Sequence, residues 1–97
     1  MFIVELTYKK SLAEVERYLE EHRDFLERAL EENHLIAAGR KNPRTGGVII
    51  SQLSNRAELD AFIQQDPFYK HDIADYKIID FTLTKYHSNF SSFIVEK

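Results

Sequence analysis

His22 occupies a position where the surrounding pattern predicts an apolar residue. Apolar residues recur at three- and four-residue steps here, which is typical of a helix with one buried face. These residues are Leu12, Val15, Leu19, Leu26, Ala29 and Leu30. An imidazole beside a core is suited to proton transfer, because its charge changes near neutral pH. The common alternative is a histidine at the edge of the core that is hydrogen-bonded to a backbone group.

Asp66 is the candidate partner of His22. It directly precedes Pro67, and an aspartate at such a position is a good N-cap for a helical turn. In a functional interpretation, its carboxylate accepts the imidazole N–H and fixes the tautomer of the ring. The two roles are compatible because a carboxylate has two oxygens. We therefore predict that His22 and Asp66 lie within about 2.6–3.2 Å of each other, or one water apart.

A basic turn between two predicted strands is a candidate binding element. The turn spans residues 41–47, which include Gly46 and Gly47, and it directly follows Arg40. Glycine lets a backbone approach a ligand closely, and an arginine such as Arg44 recognises carboxylate or phosphate groups. The alternative is an ordinary solvated hairpin loop.

The sequence gives no convincing signal for a metal or nucleotide. His71 and Asp75 have i, i+4 spacing, but two candidate ligands do not make a metal site, and the chain has no cysteine. Neither a phosphate-binding loop nor a dinucleotide glycine pattern occurs, and a Gly-x-Ser-x-Gly motif is also absent. We therefore expect that the protein needs no cofactor.

Length and charge limit the possible partners. The 97 residues suffice for one domain, and a net charge of −3 argues against the basic surface that nucleic-acid binding requires. No apolar run approaches the roughly 20 residues that cross a bilayer, and the start of the chain lacks the features of a signal peptide. We therefore expect a cytoplasmic protein without nucleic-acid or membrane partners.

A domain this small buries only a modest fraction of its surface, and dimerisation would increase that fraction.

The elements that position these residues follow the order β-α-β-β-α-β. Strands are predicted over 2–8, 35–39, 48–53 and 77–86, and helices over 11–33 and 55–66, with a further short helical turn over 67–74. This order is the ferredoxin-like split βαβ pattern, an α+β fold whose four-stranded antiparallel sheet has both helices on one face. The other face is left open as a pocket floor or a dimer interface. Its predicted residues are Ile3, Glu5, Thr7, Ile78, Asp80, Thr82 and Thr84.

Several motifs taken together resemble the YciI-like family. They are His22-Arg23-x-Phe25-Leu26, Gly39 at the end of the second strand, Asn42-Pro43-Arg44-Thr45-Gly46-Gly47 and Asp66-Pro67-Phe68. The resemblance covers nearly the whole chain and implies a dimeric α+β barrel, in which two ferredoxin-like sheets pack face to face. It also implies that the family's His and Asp pair falls on His22 and Asp66. The chain departs from the family pattern at Arg40, where members commonly carry proline, and at Asn33-His34, where they carry glycine.

Three functions remain open. The first is a small cofactor-independent enzyme that carries out lyase- or isomerase-type proton transfer on a small cyclic or carbonyl compound. In it His22 is the general base or acid, and Asp66 orients the imidazole. The candidate substrate-binding residues are Arg44, Gly46, Gly47, Phe68 and Tyr69. The second function is a small-molecule-binding module, and the third is a structural homodimer without catalysis.

The chain is predicted to divide into a domain of residues 1–86 and an apolar tail of residues 87–97. The tail has four large apolar side chains within six residues, namely Phe90, Phe93, Ile94 and Val95. Fully burying one such side chain stabilises by roughly 1.5–3 kcal/mol, whereas ordering the backbone costs about 1–2 kcal/mol per residue. Docking therefore requires that most of them be buried. We expect the tail to pack on a second subunit or at the rim of the barrel, where it would narrow access to His22.

Overall fold

Four strands form one antiparallel sheet in the order β2-β3-β1-β4. The computed structural model describes residues 1–94. Its elements are β1 (Phe2–Tyr8), α1 (Leu12–Glu31), β2 (Leu35–Arg40), β3 (Gly46–Ser51), α2 (Arg56–Ile63), α3 (Pro67–Lys70), β4 (Ala74–Asp80) and a 3₁₀ helix (Ser88–Phe93). The topology confirms the predicted ferredoxin-like α+β fold.

The ends of the long helices follow local capping signals. The side-chain oxygens of Ser11 and Asn55 accept the backbone N–H three residues later, at 3.3 and 2.8 Å. Each residue is therefore an N-cap, as the capping boxes predict. Past the other end of α1, Asn33 adopts a left-handed φ of 62°. This conformation lets the N–H of His34 donate to the carbonyl of Ala29 at 2.9 Å, which closes the helix in a Schellman motif.

β4 lies earlier in the chain than predicted. It spans Ala74–Asp80 rather than 77–86. Its position is set by pairing with β1, and its last residue is already opposite Phe2 at the start of that strand. Beyond this point only Met1 remains to pair with, and its carbonyl accepts the N–H of Phe81 at 3.1 Å. The length of β1 therefore ends β4.

The shift of β4 changes which residues face the open side of the sheet. Ile78 is opposite the fully buried Val4 and points toward the helices, so its predicted place on the open face is wrong. Ile79 is opposite Ile3 instead, and it is 45% exposed. By register, the open face carries Ile3, Glu5, Thr7, Val48, Ile50, Asp75, Lys77 and Ile79.

The helix side of the sheet holds the core. The buried apolar residues are Phe2, Val4, Leu6, Val15, Phe25, Ala29, Leu35, Ile49, Leu59, Phe62, Ile63, Phe68, Ile73 and Ala74. They come from every strand and helix of residues 1–80, so the sheet and the helices share one core. Within residues 1–94, no helix has both the length and the apolar character needed to cross a membrane.

The 3₁₀ helix returns the tail to the end of the sheet where β1 begins. Phe93 and Ile94 are half-buried and line a groove of about 430 Å³ beside Met1. This end is opposite the β2–β3 hairpin, since residues 46 and 47 pair with the far end of β1. Val95 lies outside the described residues. Packing of the tail on a second subunit or at a barrel rim stays a prediction.

Gly46 is expected to tolerate no side chain. A Cβ at this position would lie 1.8 Å from the carbonyl oxygen of Leu6 in the paired strand. A Cβ on Gly39, in contrast, would have no neighbouring atom within 4 Å. Gly46→Ala should therefore lower the free energy of unfolding by about 2–4 kcal/mol or prevent folding. The matched Gly39→Ala should change it by less than about 1 kcal/mol. Urea unfolding measures both, and equal effects would contradict the steric explanation.

Candidate active site

The predicted contact between His22 and Asp66 is present. Nδ1 of the imidazole lies 2.7 Å from Oδ1 of the carboxylate, although 44 residues separate them in the chain. Both residues are nearly sealed from water, with Asp66 1% and His22 8% exposed. α1 positions His22 beside Asp66 because Val15, His22 and Ala29 lie two helical turns apart along its buried face.

Asp66 is also the N-cap of α3. Its Oδ1 accepts the backbone N–H of Phe68 at 3.0 Å, and Pro67 occupies the first helical turn. The short helix ends before Asp72, whose left-handed φ of 56° turns the chain toward β4. Capping and the contact with His22 use the same oxygen, which leaves Oδ2 for a third donor.

Tyr76 is that third donor, and sequence reasoning missed it. Its hydroxyl donates to Oδ2 of Asp66 at 2.6 Å. Burial, followed by the negative charge of Asp66, raises the pKa of Tyr76 well above its ordinary value, so the phenol stays protonated. β4 turns Tyr76 inward because this residue is opposite the buried Leu6. The alternation of Ala74, Tyr76 and Ile78 was the signal in the sequence that could have revealed it.

The hydrogen bonds determine which nitrogen of His22 can react. The carboxylate of Asp66 can only accept, so the imidazole donates from Nδ1. Phe68 stacks on the ring with centroids 3.9 Å apart and planes within 4°, which restricts its rotation. Within residues 1–94, Nε2 has no hydrogen-bond partner, and the ring lines a cleft. Nε2 is therefore the atom that can exchange a proton with a bound molecule.

The cleft beside His22 has a volume of about 360 Å³ and lies between α1 and the β2–β3 hairpin. It opens on the helix side of the sheet, since Leu6, which lines it, faces the core. The open face of the sheet is therefore not the floor of this pocket. Small-molecule sites commonly have volumes of about 300–1,000 Å³, so the cleft suits a compact ligand. Its apolar wall comprises Leu6, Leu19, Leu26, Ala38 and Phe68.

Most of the predicted binding residues come together at this cleft. Those that line it with His22 are Arg44, Gly46, Gly47 and Phe68. Tyr69 does not, because the residue is 48% exposed and its ring packs edge-on against Tyr76, outside the lining. Close strand packing gives a structural reason for both glycines, since a Cβ on either would lie within 3 Å of backbone in a neighbouring strand.

Arg44 is tied to α1 across the end of the cleft. Its Nη1 donates to Oε1 of Glu16 at 2.6 Å. This hydrogen bond, with a smaller contribution from Tyr8, raises the pKa of Arg44. The ion pair clamps the hairpin to the helix. Arg23 and Arg40 also line the cleft, and sequence reasoning gave Arg23 no separate role.

The family model of the YCII-related domain matches residues 1–82. The chain belongs to the YCII-related domain family. No curated protein matches the chain. A similar solved structure is the 5-chloro-2-hydroxyhydroquinone dehydrochlorinase from Burkholderia phenoliruptrix AC1100, in complex with 2,5-dihydroxybenzoquinone. It aligns with 84% of this chain and 94% of its own at a TM-score of 0.70 and 17% identity, which shows a shared fold.

The candidate metal ligands of this YCII-related domain lie apart. Within residues 1–94, no group of three or more His, Asp or Glu side chains is placed to hold a metal ion. His71 stacks on Tyr18 with ring centroids 4.0 Å apart. Asp75 pairs with Lys9 at 3.4 Å. The i, i+4 spacing of His71 and Asp75 thus belongs to no ligand cluster in this part of the chain.

Tyr76→Phe should change the alkaline stability of this YCII-related domain. The pKa of Tyr76 is raised in the folded protein, whereas an unfolded tyrosine titrates at about pH 10. The stability that the phenol contributes is therefore fully present below about pH 10 and is lost as the pH rises above it. The Tyr76→Phe variant has no buried phenol to ionise, so its free energy of unfolding should fall less steeply above about pH 10 than that of the parent protein. At neutral pH it should lower the free energy of unfolding by about 1–3 kcal/mol, because the buried carboxylate loses a donor.

Denaturant unfolding at several pH values between about 8 and 11 measures both effects, across the range where tyrosine titrates. Tyr86→Phe is the matched control, since Tyr86 is 52% exposed. It should change neither the neutral stability nor the alkaline slope. An alkaline slope in Tyr76→Phe equal to that of the parent protein would show that burial of the phenol does not couple to folding.

Proposed function

We propose that the protein is a small cofactor-independent enzyme of the lyase or isomerase type. The observation that carries this proposal is the arrangement of His22, whose Nδ1 is bound to a buried carboxylate while its ring lines a ligand-sized cleft. Proton transfer of this kind requires a base, a group that orients it and a positioned substrate. His22 supplies the base and Asp66 the orienting group.

The proposed step begins with neutral His22. Nε2 takes a proton from a saturated carbon next to a carbonyl carbon, and the C–H electron pair moves into the carbonyl group and its conjugated system as an enolate. The resulting imidazolium is stabilised by the carboxylate of Asp66, 2.7 Å from Nδ1. Returning the proton to another atom of the substrate completes an isomerisation. Departure of a leaving group such as halide, with its electron pair, completes an elimination instead.

The walls of the cleft support a small cyclic substrate. Phe68 and Leu19 offer apolar surface, while Arg44, Gly46 and Gly47 form the hairpin end of the lining. The dehydrochlorinase of similar fold is named for a chlorinated hydroxyhydroquinone and was solved with 2,5-dihydroxybenzoquinone. A compound of that type is cyclic, bears carbonyl groups and matches a cleft of about 360 Å³ in size.

The removal of His22 tests the proposed chemistry. Small cyclic carbonyl and halogenated phenolic compounds are incubated with the protein in D₂O, and NMR follows C–H exchange, isomerisation and halide-dependent conversion. His22→Gln should lower the rate by about 10²–10⁴-fold, the usual contribution of a positioned general base. His71→Gln is the matched control and should keep the rate, since His71 stacks on Tyr18 and does not line the cleft.

A His22→Gln rate equal to that of the parent protein would contradict the proposal. Saturable binding of a panel compound without any conversion would favour the alternative function, a small-molecule-binding module. In that case the pair of His22 and Asp66 would act as a fixed hydrogen-bonding clamp.

We further propose a homodimer that forms through the open face of the sheet. Ile3, Val48, Ile50 and Ile79 give this face a continuous apolar strip across three strands. Helices α1, α2 and α3 contribute buried residues to the core, which lies on the other side of the sheet. Covering the strip with a second copy would remove these side chains from water and would build the barrel that the family resemblance implies.

Ile79→Glu should weaken this dimer. A carboxylate within an apolar interface is costly to desolvate, so the dissociation constant should rise by at least about 10-fold. Leu12→Glu is the matched control, because Leu12 is 51% exposed, similar to Ile79, but lies on α1. Sedimentation velocity measures both variants. A parent protein that is monomeric at micromolar concentration would overturn the proposal.

A further inference from the structure

We propose that Arg23 and Arg40 bind a carboxylate on the substrate, and that the substrate class is therefore small apolar carboxylic acids. This inference rests on the proposed function and names the kind of compound that the cleft takes. It assigns recognition of the acid group to two arginines and contact with the apolar body to the wall that includes Phe68.

The charge of the cleft is opposite to that of the chain. The protein has 16 acidic and 13 basic residues, yet three arginines and no aspartate or glutamate line the cleft. The charge of Arg44 is already balanced by Glu16, whose Oε1 lies 2.6 Å from Nη1 of Arg44. Among residues 1–94, the arginine side chains with an ion-pair or hydrogen-bond partner are Arg17, Arg44 and Arg56, so Arg23 and Arg40 have none. Two uncompensated guanidinium groups therefore remain for an anionic ligand.

The two arginines reach the cleft from different elements. α1 has seven acidic residues, but its contribution to the lining is Leu19, His22, Arg23 and Leu26. Arg40 is opposite Gly47, which is opposite the buried Leu6, so the register turns Arg40 to the helix side of the sheet. The ligand site is thus bounded by a cation on the helix and a cation on the strand.

The shape and chemistry of the lining select a carboxylate with an apolar body. A guanidinium binds carboxylate through two parallel hydrogen bonds, and its charge excludes other cations. The rest of the wall is apolar, with Leu19, Leu26 and Phe68 among its residues. A cleft of about 360 Å³ has room for one ring or a short branched chain. His22 lies in the same wall, so the body of the acid would meet Nε2.

Benzoate and benzamide provide a matched pair of probes, since they share one shape and differ in charge. NMR shift titration at neutral pH should show benzoate binding at least about 10-fold more tightly than benzamide. Inorganic phosphate has the charge without the apolar body and should bind more weakly than benzoate. Arg23→Gln and Arg40→Gln should each weaken benzoate binding by about 10-fold and leave benzamide binding unchanged.

Arg56→Gln is the control for general loss of positive charge. Arg56 pairs with Asp60 on α2 at 2.9 Å and lies outside the lining, so this variant should bind benzoate like the parent protein. Arg23 and Arg40 are exposed, and thermal unfolding should show that their variants fold normally.

The proposal is overturned by equal affinity for benzoate and benzamide or by absence of saturable benzoate binding. It is also overturned by tighter binding of inorganic phosphate, or by Arg23→Gln and Arg40→Gln variants that both behave like Arg56→Gln. These titrations measure binding, so they are independent of turnover. If the arginines prove necessary for benzoate while His22→Gln loses no conversion rate, the proposed catalysis fails and the assignment of the carboxylate site stands.

Discussion

The buried carboxylate of Asp66 is the constraint on which the candidate site depends. Moving a carboxylate out of water costs several kcal/mol, so the interior tolerates it only when its oxygens are well hydrogen-bonded. Nδ1 of His22, the backbone N–H of Phe68 and the hydroxyl of Tyr76 donate to it. Hydrogen bonds to a charged group contribute about 1.5–3 kcal/mol each. Because the donors belong to α1, α3 and β4, satisfying one buried charge fixes these elements relative to one another and positions the imidazole.

The same arrangement keeps negative charge out of the cleft. Asp66 is 1% exposed and does not line the cleft, whereas His22 and Phe68 do. The negative charge that orients the imidazole therefore lies behind the wall, and the wall itself carries arginines. A positive cleft in a chain of net charge −3 attracts anions locally while the rest of the surface repels them. Proton transfer and anion binding can then share one site, since the orienting carboxylate does not face the ligand.

Sequence reasoning predicted the features that local contacts determine. An N-cap bonds a backbone N–H two or three residues later, and three caps were predicted on that basis: Ser11, Asn55 and Asp66. His22 could be found because a polar residue on an apolar helix face requires a partner. The bounds of β4, and with them the role of Tyr76, depend on pairing with a strand some 70 residues earlier. The ion pair between Arg44 and Glu16 spans 28 residues, and neither residue carries a signal for it.

The β2–β3 hairpin connects the two faces of the sheet. Successive residues at the end of a strand point to opposite faces, so Arg40 reaches the cleft while Lys41 reaches the open face. There, Nζ of Lys41 lies 2.9 Å from Oε2 of Glu5 and 3.0 Å from Oγ1 of Thr7. A second copy on the open face would shield these contacts from water, and electrostatic contacts strengthen as water is excluded. Dimerisation would therefore stabilise the position of the β2–β3 hairpin, which carries Arg40 and Arg44. Assembly and ligand binding would then be coupled through one turn, although they use opposite faces of the sheet.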